Sequence, residues 1–508
     1  MNLRRIFKTL FTNFLGQGVT IISQLIVPPL FLRSYSNGIM VYGEWIALSA
    51  AVSYLGTLNY GIQNYSNNQM SILYNSGDIE GAKNVQGAAL RLLVGFFTLF
   101  AVAGLVVFVL PISSYLNLKI DSPFQNALAL YLLILQIALN MLFSLMTNSY
   151  MVVGQLHRGN YWASAQRLFS IVCIALTVKM HGSFPAVAGA QLGAFFTFLI
   201  LVMIDMRRNA PILLPSLRYG SMEHVRAIIK PSGHFLLIAL AGFLTWQGPI
   251  IIIQRMLGPA AVATFALVRV VFQMARQILS IASSTISQDI TMLFGKRDWN
   301  ALHKLYDLSE RIVLFLTPIV TIGSFLMCPF LFTVWLHKRN LYDPKLCFLM
   351  AIVSAVLGIK EHKTQFQSSS NKHERFAVFS VLGYLVMLGV SLPIMKMYSL
   401  TGFILCWLIW EIIQTYAVVR FNEDIFPAEY KVSLQPITRL AIFMSVAFAL
   451  SFYPSKLEVN WSLPAVVGFS CATVLLFAAA AYAYFGIGEL KEILQQRIRN
   501  RFLKTRSA

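Results

Sequence analysis

The sequence predicts an all-α polytopic membrane protein of about fourteen transmembrane helices, grouped as two six-helix lobes in parallel repeat with two further helices at the C-terminus. Three observations predict it. Of 508 residues, 57% are hydrophobic and only 12% charged, with a mean hydropathy of +0.67, where a soluble chain carries about 25% charged residues. Apolar runs of about 20 residues recur from end to end and leave no stretch long enough for a soluble domain. The second half also repeats turn signals of the first, Pro29 pairing with Pro249 and Asp78 with Asp298, both 220 positions on.

The first run, 10–33, follows a basic start (Arg4, Arg5, Lys8), as a signal peptide does. It lacks a small-residue cleavage site and its apolar body is long, so it reads as an uncleaved first span. Runs at 41–66, 88–111, 127–153, 161–180 and 184–206 complete an N-terminal lobe, 1–206. The Arg-rich stretch 207–231 reads as a cytoplasmic linker. A C-terminal lobe, 232–420, holds runs at 232–254, 259–290, 309–335, 345–361, 375–395 and 399–420. Two extra runs, 437–453 and 463–487, lie in the segment 421–487, and a basic tail, 488–508, closes the chain.

The repeat is visible in letters. "VPPLFLRSYSNGIMVYGEW" leads to "MSILYNSGDIEGAKNV", and "QGPIIIIQRMLGPAAVATFALVRVV" leads to "ITMLFGKRDWNALHKL". Six runs separate the copies, so both enter the membrane from the same side, as in a parallel repeat.

Net charge is +20 and the pI about 9.8, values that suggest nucleic acid in a soluble protein. With the N-terminus inside, however, roughly three quarters of the 40 Lys and Arg fall in inside segments. The charge is therefore orientation, both termini are expected in the cytoplasm, and no nucleic-acid partner is implied. The five cysteines show no metal spacing and mostly fall in apolar runs, as small buried hydrophobes do. No outside loop has room for a catalytic domain. The chain carries no P-loop, H-E-x-x-H or G-x-S-x-G motif, so neither an enzyme nor a cofactor is expected.

Polar residues collect in stripes. In the eighth run Arg269, Gln273, Arg276, Ser280, Ser283 and Ser287 fall within about 80° at 100° per residue. Arg269 lies about 15 Å from the outer end, near the midplane. Asn13, Gln17, Thr20 and Gln24 share a face of the first run, as do Ser49, Ser53, Tyr60, Asn64 and Asn67 of the second. Gln136, Asn140, Ser144 and Thr147 line one face of the fourth. Hydrogen bonding between helices explains any single Gln or Asn. A central arginine costs about 2.5–3.5 kcal/mol on insertion scales, so two in one run require a partner or water. Glu411, in the twelfth run, is the deep acid that could pair with either. The other reading is a water-filled cationic cavity holding an anionic ligand. On that reading Arg269 and Arg276 contact the anion, with Gln17, Gln24, Gln136, Asn140, Gln273 and Glu411 as further candidates for the substrate site.

The "YGEW…YLGTLNYGIQN" stretch, Tyr42 to Asn64, resembles the second-helix signature of Wzx-type polysaccharide flippases. The segment Pro259 to Arg269 after "QRMLG" is similar to their corresponding second-half segment. Those flippases belong to the superfamily of multidrug, oligosaccharidyl-lipid and polysaccharide exporters. The resemblance implies a MATE-like fold, two six-helix lobes around a central cavity, and alternating access. It also implies movement of an undecaprenyl-pyrophosphate-linked oligosaccharide to the outer leaflet of a bacterial inner membrane for O-antigen-type polysaccharide. Membrane lipids, a polysaccharide polymerase and chain-length proteins are the implied partners. Two alternatives stand beside this reading. A multidrug exporter of the same fold uses carboxylates in its lobes, and the first and seventh runs here contain no Asp or Glu. A membrane polymerase or ligase requires a substantial outside loop.

Overall fold

The computed structural model describes residues 3–286, 289–290, 293–294, 297–337, 341–370, 372, 374–430, 432–457 and 462–485. Among them no strand occurs. Ser287, of the eighth-run stripe, and the basic tail 488–508 lie outside the described residues. The chain forms two compact units, Met1–Ala266 and Leu267–Ala508.

The first unit contains α1 (Leu3–Ser34), α2 (Gly38–Ser53), α3 (Leu55–Asn75), α4 (Ile79–Ala103), α5 (Pro123–Ser149), α6 (Leu156–Lys179) and α7 (Phe184–Asn209). It also holds α8 (Met222–Trp246), α9 (Gly248–Leu257) and the start of α10 (Pro259–Thr285). α2 and α3 abut at Tyr54 and act as one rod. α8 and α9 meet at Gln247, where Pro249 removes a helix N–H. α1 packs along α6 and α2, α5 along α7 and α4, and α8 along α3 and α4. The seventh run thus packs within this unit. The sequence between α7 and α8 is also shorter than the 207–231 linker, because α7 runs on to Asn209 and α8 begins at Met222.

The second unit holds the rest of α10, then α11 (Trp299–Phe330), α12 (Pro344–Ser369), α13 (Glu374–Asn422), α14 (Gln435–Leu457) and α15 (Leu463–Tyr484). α13 is a hairpin. Ser399 has φ 53° and ψ −142°, and beyond it the chain returns so that the Phe379 and Trp410 rings lie 5.4 Å apart. α14 and α15 pack on α11.

Among the described residues, ten helices are long and apolar enough to cross a membrane, and the protein is a multi-pass membrane protein. One of the ten is the α13 hairpin, which counts twice. The α2–α3 and α8–α9 rods are each divided in two, and α12 carries charge. Adding these gives fourteen rods in the expected order.

The repeat extends to backbone detail. Asp78 (φ −83°, ψ 76°) caps α4 by accepting from the Gly81 N–H at 2.8 Å. Asp298 (φ −82°, ψ 77°) caps α11 by accepting from Ala301 at 3.1 Å. Each cap follows a residue with positive φ, Gly77 at 90° and Arg297 at 55°. Asn117 (φ 51°) recurs as His337 (φ 53°), and His181 (φ 55°), between α6 and α7, recurs as Ser399.

The tenth run needs correcting at one end. Helix α12 does not stop at 361 but continues to Ser369, so His362 and Lys363 lie within the same helix as Lys360 and Glu361 and not in a loop. Nothing in "GIKEHKTQFQ" breaks a helix, and the first stop signal is "SSSN".

Candidate functional site

In the first unit the candidate residues sit on α1 and α5. Gln17 is exposed and Gln24 half-buried, and the Gln24 Oε1 is enclosed without a hydrogen-bond partner among the described residues. Gln136 and Asn140 are half-buried, and Asn140 Oδ1 accepts from Ser144 Oγ at 3.5 Å. The C-terminal half of α5 bonds to its neighbours. Gln63 Nε2 donates to the Met141 carbonyl at 3.1 Å, Asn148 Nδ2 to Gln63 Oε1 at 3.3 Å, and Gln86 Nε2 to Ser149 Oγ at 3.1 Å. The Tyr60 and Asn64 side chains of the second-run stripe lie outside the described residues.

The "YGEW" residues form a structural clamp near the start of α2. The Glu44 carboxylate is fully buried and accepts from the backbone N–H of Lys119 at 2.7 Å and Ile120 at 3.1 Å. Trp45 stacks on Phe31 at 6.0 Å. A side chain on Gly43 would collide with the Pro259 backbone, so glycine permits α2 to touch the start of α10. Tyr35 donates to the Gly182 carbonyl at 2.6 Å. Burial, with Asp121 nearby, pushes its phenol pKa up.

In the second unit Arg269 and Gln273 are half-buried on α10. Arg276 forms an ion pair with Glu361 of α12. Glu411 is completely buried, and the partner expected for it is corrected. Its carboxylate forms an ion pair with Lys360 and accepts from Tyr384 OH at 2.5 Å and Trp407 Nε1 at 2.9 Å.

These pairs belong to a network centred on α12 that sequence reasoning missed. Lys360 faces Glu411, Tyr384 and Gln414 on α13, and Glu361 faces Arg276 on α10. His362 bonds Ser309 of α11 at 2.8 Å. Lys363, fully buried, reaches Glu310 of α11 at 2.5 Å and lies 4.0 Å above the Tyr306 ring. Four successive helical positions cover about 300°, so the four side chains reach three neighbouring helices, α13, α10 and α11. The repeat offset held the signal: moving Asn140 by 220 positions lands on Lys360.

Between α12, the returning arm of α13 and α14 lies an apolar cavity of about 740 Å³. Phe348, Ile352, Val356 and Ile359 of α12 face Ile437, Met444 and Phe448 of α14 across it, with Ile412 and Tyr416 of α13 at one wall. Among the described residues no cluster of His, Cys, Asp and Glu has metal-ligand geometry, and the five cysteines are unbridged.

No family model matches the chain, and no curated protein matches it by sequence. Solved structures do match it in fold. A structure described as lipid II flippase MurJ in an inward closed conformation superimposes with a TM-score of 0.69 at 11% identity, covering 97% of this chain and 100% of that one. An inward-facing multidrug-resistance MATE family transporter of the MOP superfamily gives 0.63 at 14% identity, covering 81% of this chain and 94% of the other. The MATE multidrug transporter DinF-BH gives 0.59 at 15% identity, covering 83% of this chain and 96% of the other. At such identities the likeness is one of architecture. This chain has the fold that a lipid II flippase shares with multidrug transporters of the MOP superfamily.

Proposed function

We propose that the protein is a flippase carrying an undecaprenyl-pyrophosphate-linked oligosaccharide repeat unit from the cytoplasmic to the outer leaflet of a bacterial cytoplasmic membrane. It works by alternating access, with both termini cytoplasmic, and delivers its product to the polymerase and chain-length proteins of surface polysaccharide assembly. The observation that carries this reading is the end-to-end likeness to a lipid II flippase, all of whose chain is matched. The MATE transporters leave about a fifth of this chain unmatched. The chemistry agrees. A mid-depth arginine on α10 suits a diphosphate, to which its planar fork donates two hydrogen bonds. Amide faces on α1 and α5 suit sugar hydroxyls, and the apolar cavity beside α14 suits a polyprenyl chain.

The second reading, a multidrug exporter, has the same fold in its favour. Against it, α1 contains no acid, and the α8–α9 rod contains only Glu223, in its first turn. The deep carboxylates of the second unit, Glu310, Glu361 and Glu411, already hold Lys or Arg partners.

A deletion strain is expected to lose its surface polysaccharide and accumulate lipid-linked repeat units on the cytoplasmic side, with unchanged sensitivity to cationic dyes. Complementation with Arg269→Lys should restore part of the export at matched protein level, and Arg269→Ala none. Intact polysaccharide with new dye sensitivity would establish the multidrug exporter. Repeat units that reach the outer leaflet but stay unpolymerised would establish a polymerase.

A further inference from the structure

Arg167 falls inside the fifth apolar run, 161–180, and the structure places it in the middle of a membrane helix. It stands eleven residues from Leu156 and twelve from Lys179, about 16–18 Å from either end of α6. Helix α6 has two exposed faces of opposite character. Tyr161, Leu168, Val172 and Leu176 are exposed within about 80° of one another, as a lipid-facing stripe is. Arg167 is also exposed, but it lies about 140° away from the centre of that stripe. Its own side of the helix holds Ser164, Ile171 and Ile174, all packed against protein.

Helix α1 shows the same division. Leu15, Ile22 and Ile26 are exposed on one side, and the exposed Gln17 points about 160° from their centre. A guanidinium and an amide exposed at this depth, away from the lipid side, border a space that water enters, since hydrocarbon would not tolerate them. The two helices are joined at this point. Gly16 approaches Ser164 so closely that a Cβ would lie 3.3 Å from its hydroxyl oxygen. One turn on, Thr20 Oγ1 donates to the Gly16 carbonyl at 2.9 Å and accepts from Arg167 Nη1. Thr20 therefore fixes the guanidinium while using one of its five donors. A further turn along, the enclosed Gln24 Oε1 has no donor among the described residues.

We propose that Arg167, held by Thr20 and flanked by Gln17 and Gln24, is an anion-binding residue of the N-terminal unit that contacts the phosphates of the transported lipid, with Gln24 accepting from a neighbouring hydroxyl. This rests on the flippase reading, and it adds a cation contributed by a helix other than α10.

The test uses the full chain in lipid nanodiscs, with its five native cysteines replaced. Arg167→Cys should react with a membrane-impermeant methanethiosulfonate reagent while Leu168→Cys does not, and undecaprenyl pyrophosphate should slow that reaction where undecaprenol does not. In the chain with native cysteines, Arg167→Leu should weaken undecaprenyl pyrophosphate binding about tenfold or more, with Arg167→Lys falling between it and wild type. A Cys at 167 as unreactive as one at 168 would overturn the proposal, because the position would be packed. Equal binding by wild type and Arg167→Leu would overturn it while leaving the flippase reading intact. If wild type binds no undecaprenyl pyrophosphate at all, the flippase reading fails and this inference fails with it.

Discussion

Lys360 to Lys363 show how a membrane helix carries charge without meeting lipid. Each side chain is matched by a specific group on a neighbouring helix, so the cost of desolvation is offset only while both partners remain. Lys360→Met would leave the buried Glu411 with Tyr384 and Trp407 alone and should destabilise the protein by about 3–5 kcal/mol. Adding Glu411→Gln to Lys360→Met should recover most of that loss, because a neutral amide can accept from the same donors. Thermal unfolding of detergent-solubilised protein checks both. A double variant no better than the single would show that the two residues are not energetically coupled. Depth alone makes Glu411 a reasonable partner for an arginine. Only packing shows that Lys360 lies closer.

At the scale of the element, the turns at His181 and Ser399 reverse the chain with a non-glycine residue at positive φ. Ser399, at φ 53° and ψ −142°, occupies a region that glycine enters freely and other residues enter at about 1–3 kcal/mol. Ser399→Gly is therefore expected to raise the melting temperature despite the added chain entropy of glycine. Ser399→Val should lower it, since a branched Cβ worsens the same clash. An unchanged melting temperature in both would mean that the turn relaxes to another conformation. The sequence locates this turn between the eleventh and twelfth runs because hydropathy dips there. It does not show that the residue is strained, since "YSLTG" contains a glycine three positions on that looks like the natural pivot.

For the whole molecule, fourteen rods with both ends on one side imply a definite topology. Reporter fusions after Leu341 and after Met397 should appear outside, and one after Arg501 inside. An outside signal at Arg501 would break both the helix count and the parallel relation of the halves. The recurrence of Asp caps and left-handed turn residues about 220 positions apart ties the two halves together more firmly than the apolar letters do. Any two helical hairpins share apolar letters. Few share a cap with the same backbone angles to within a degree.

The amino-acid sequence determined what depends on local properties: membrane class, number and order of spans, placement of the turns, and the repeat. Hydropathy acts through each helix's own surface, and Asp, Gly and Pro act through their own backbone, so these features are written residue by residue. Tertiary structure decided where charge goes. Hydropathy ends the tenth run at 361, so Lys363 reads as a residue beyond it and α12 reads as a short helix, and nothing in hydropathy pairs Lys360 with Glu411 or Arg167 with Thr20. A helix enclosed by other helices meets protein instead of lipid, and a charge there is stable wherever a neighbour supplies its counterpart. Which neighbour does so depends on packing between segments tens to more than a hundred residues apart.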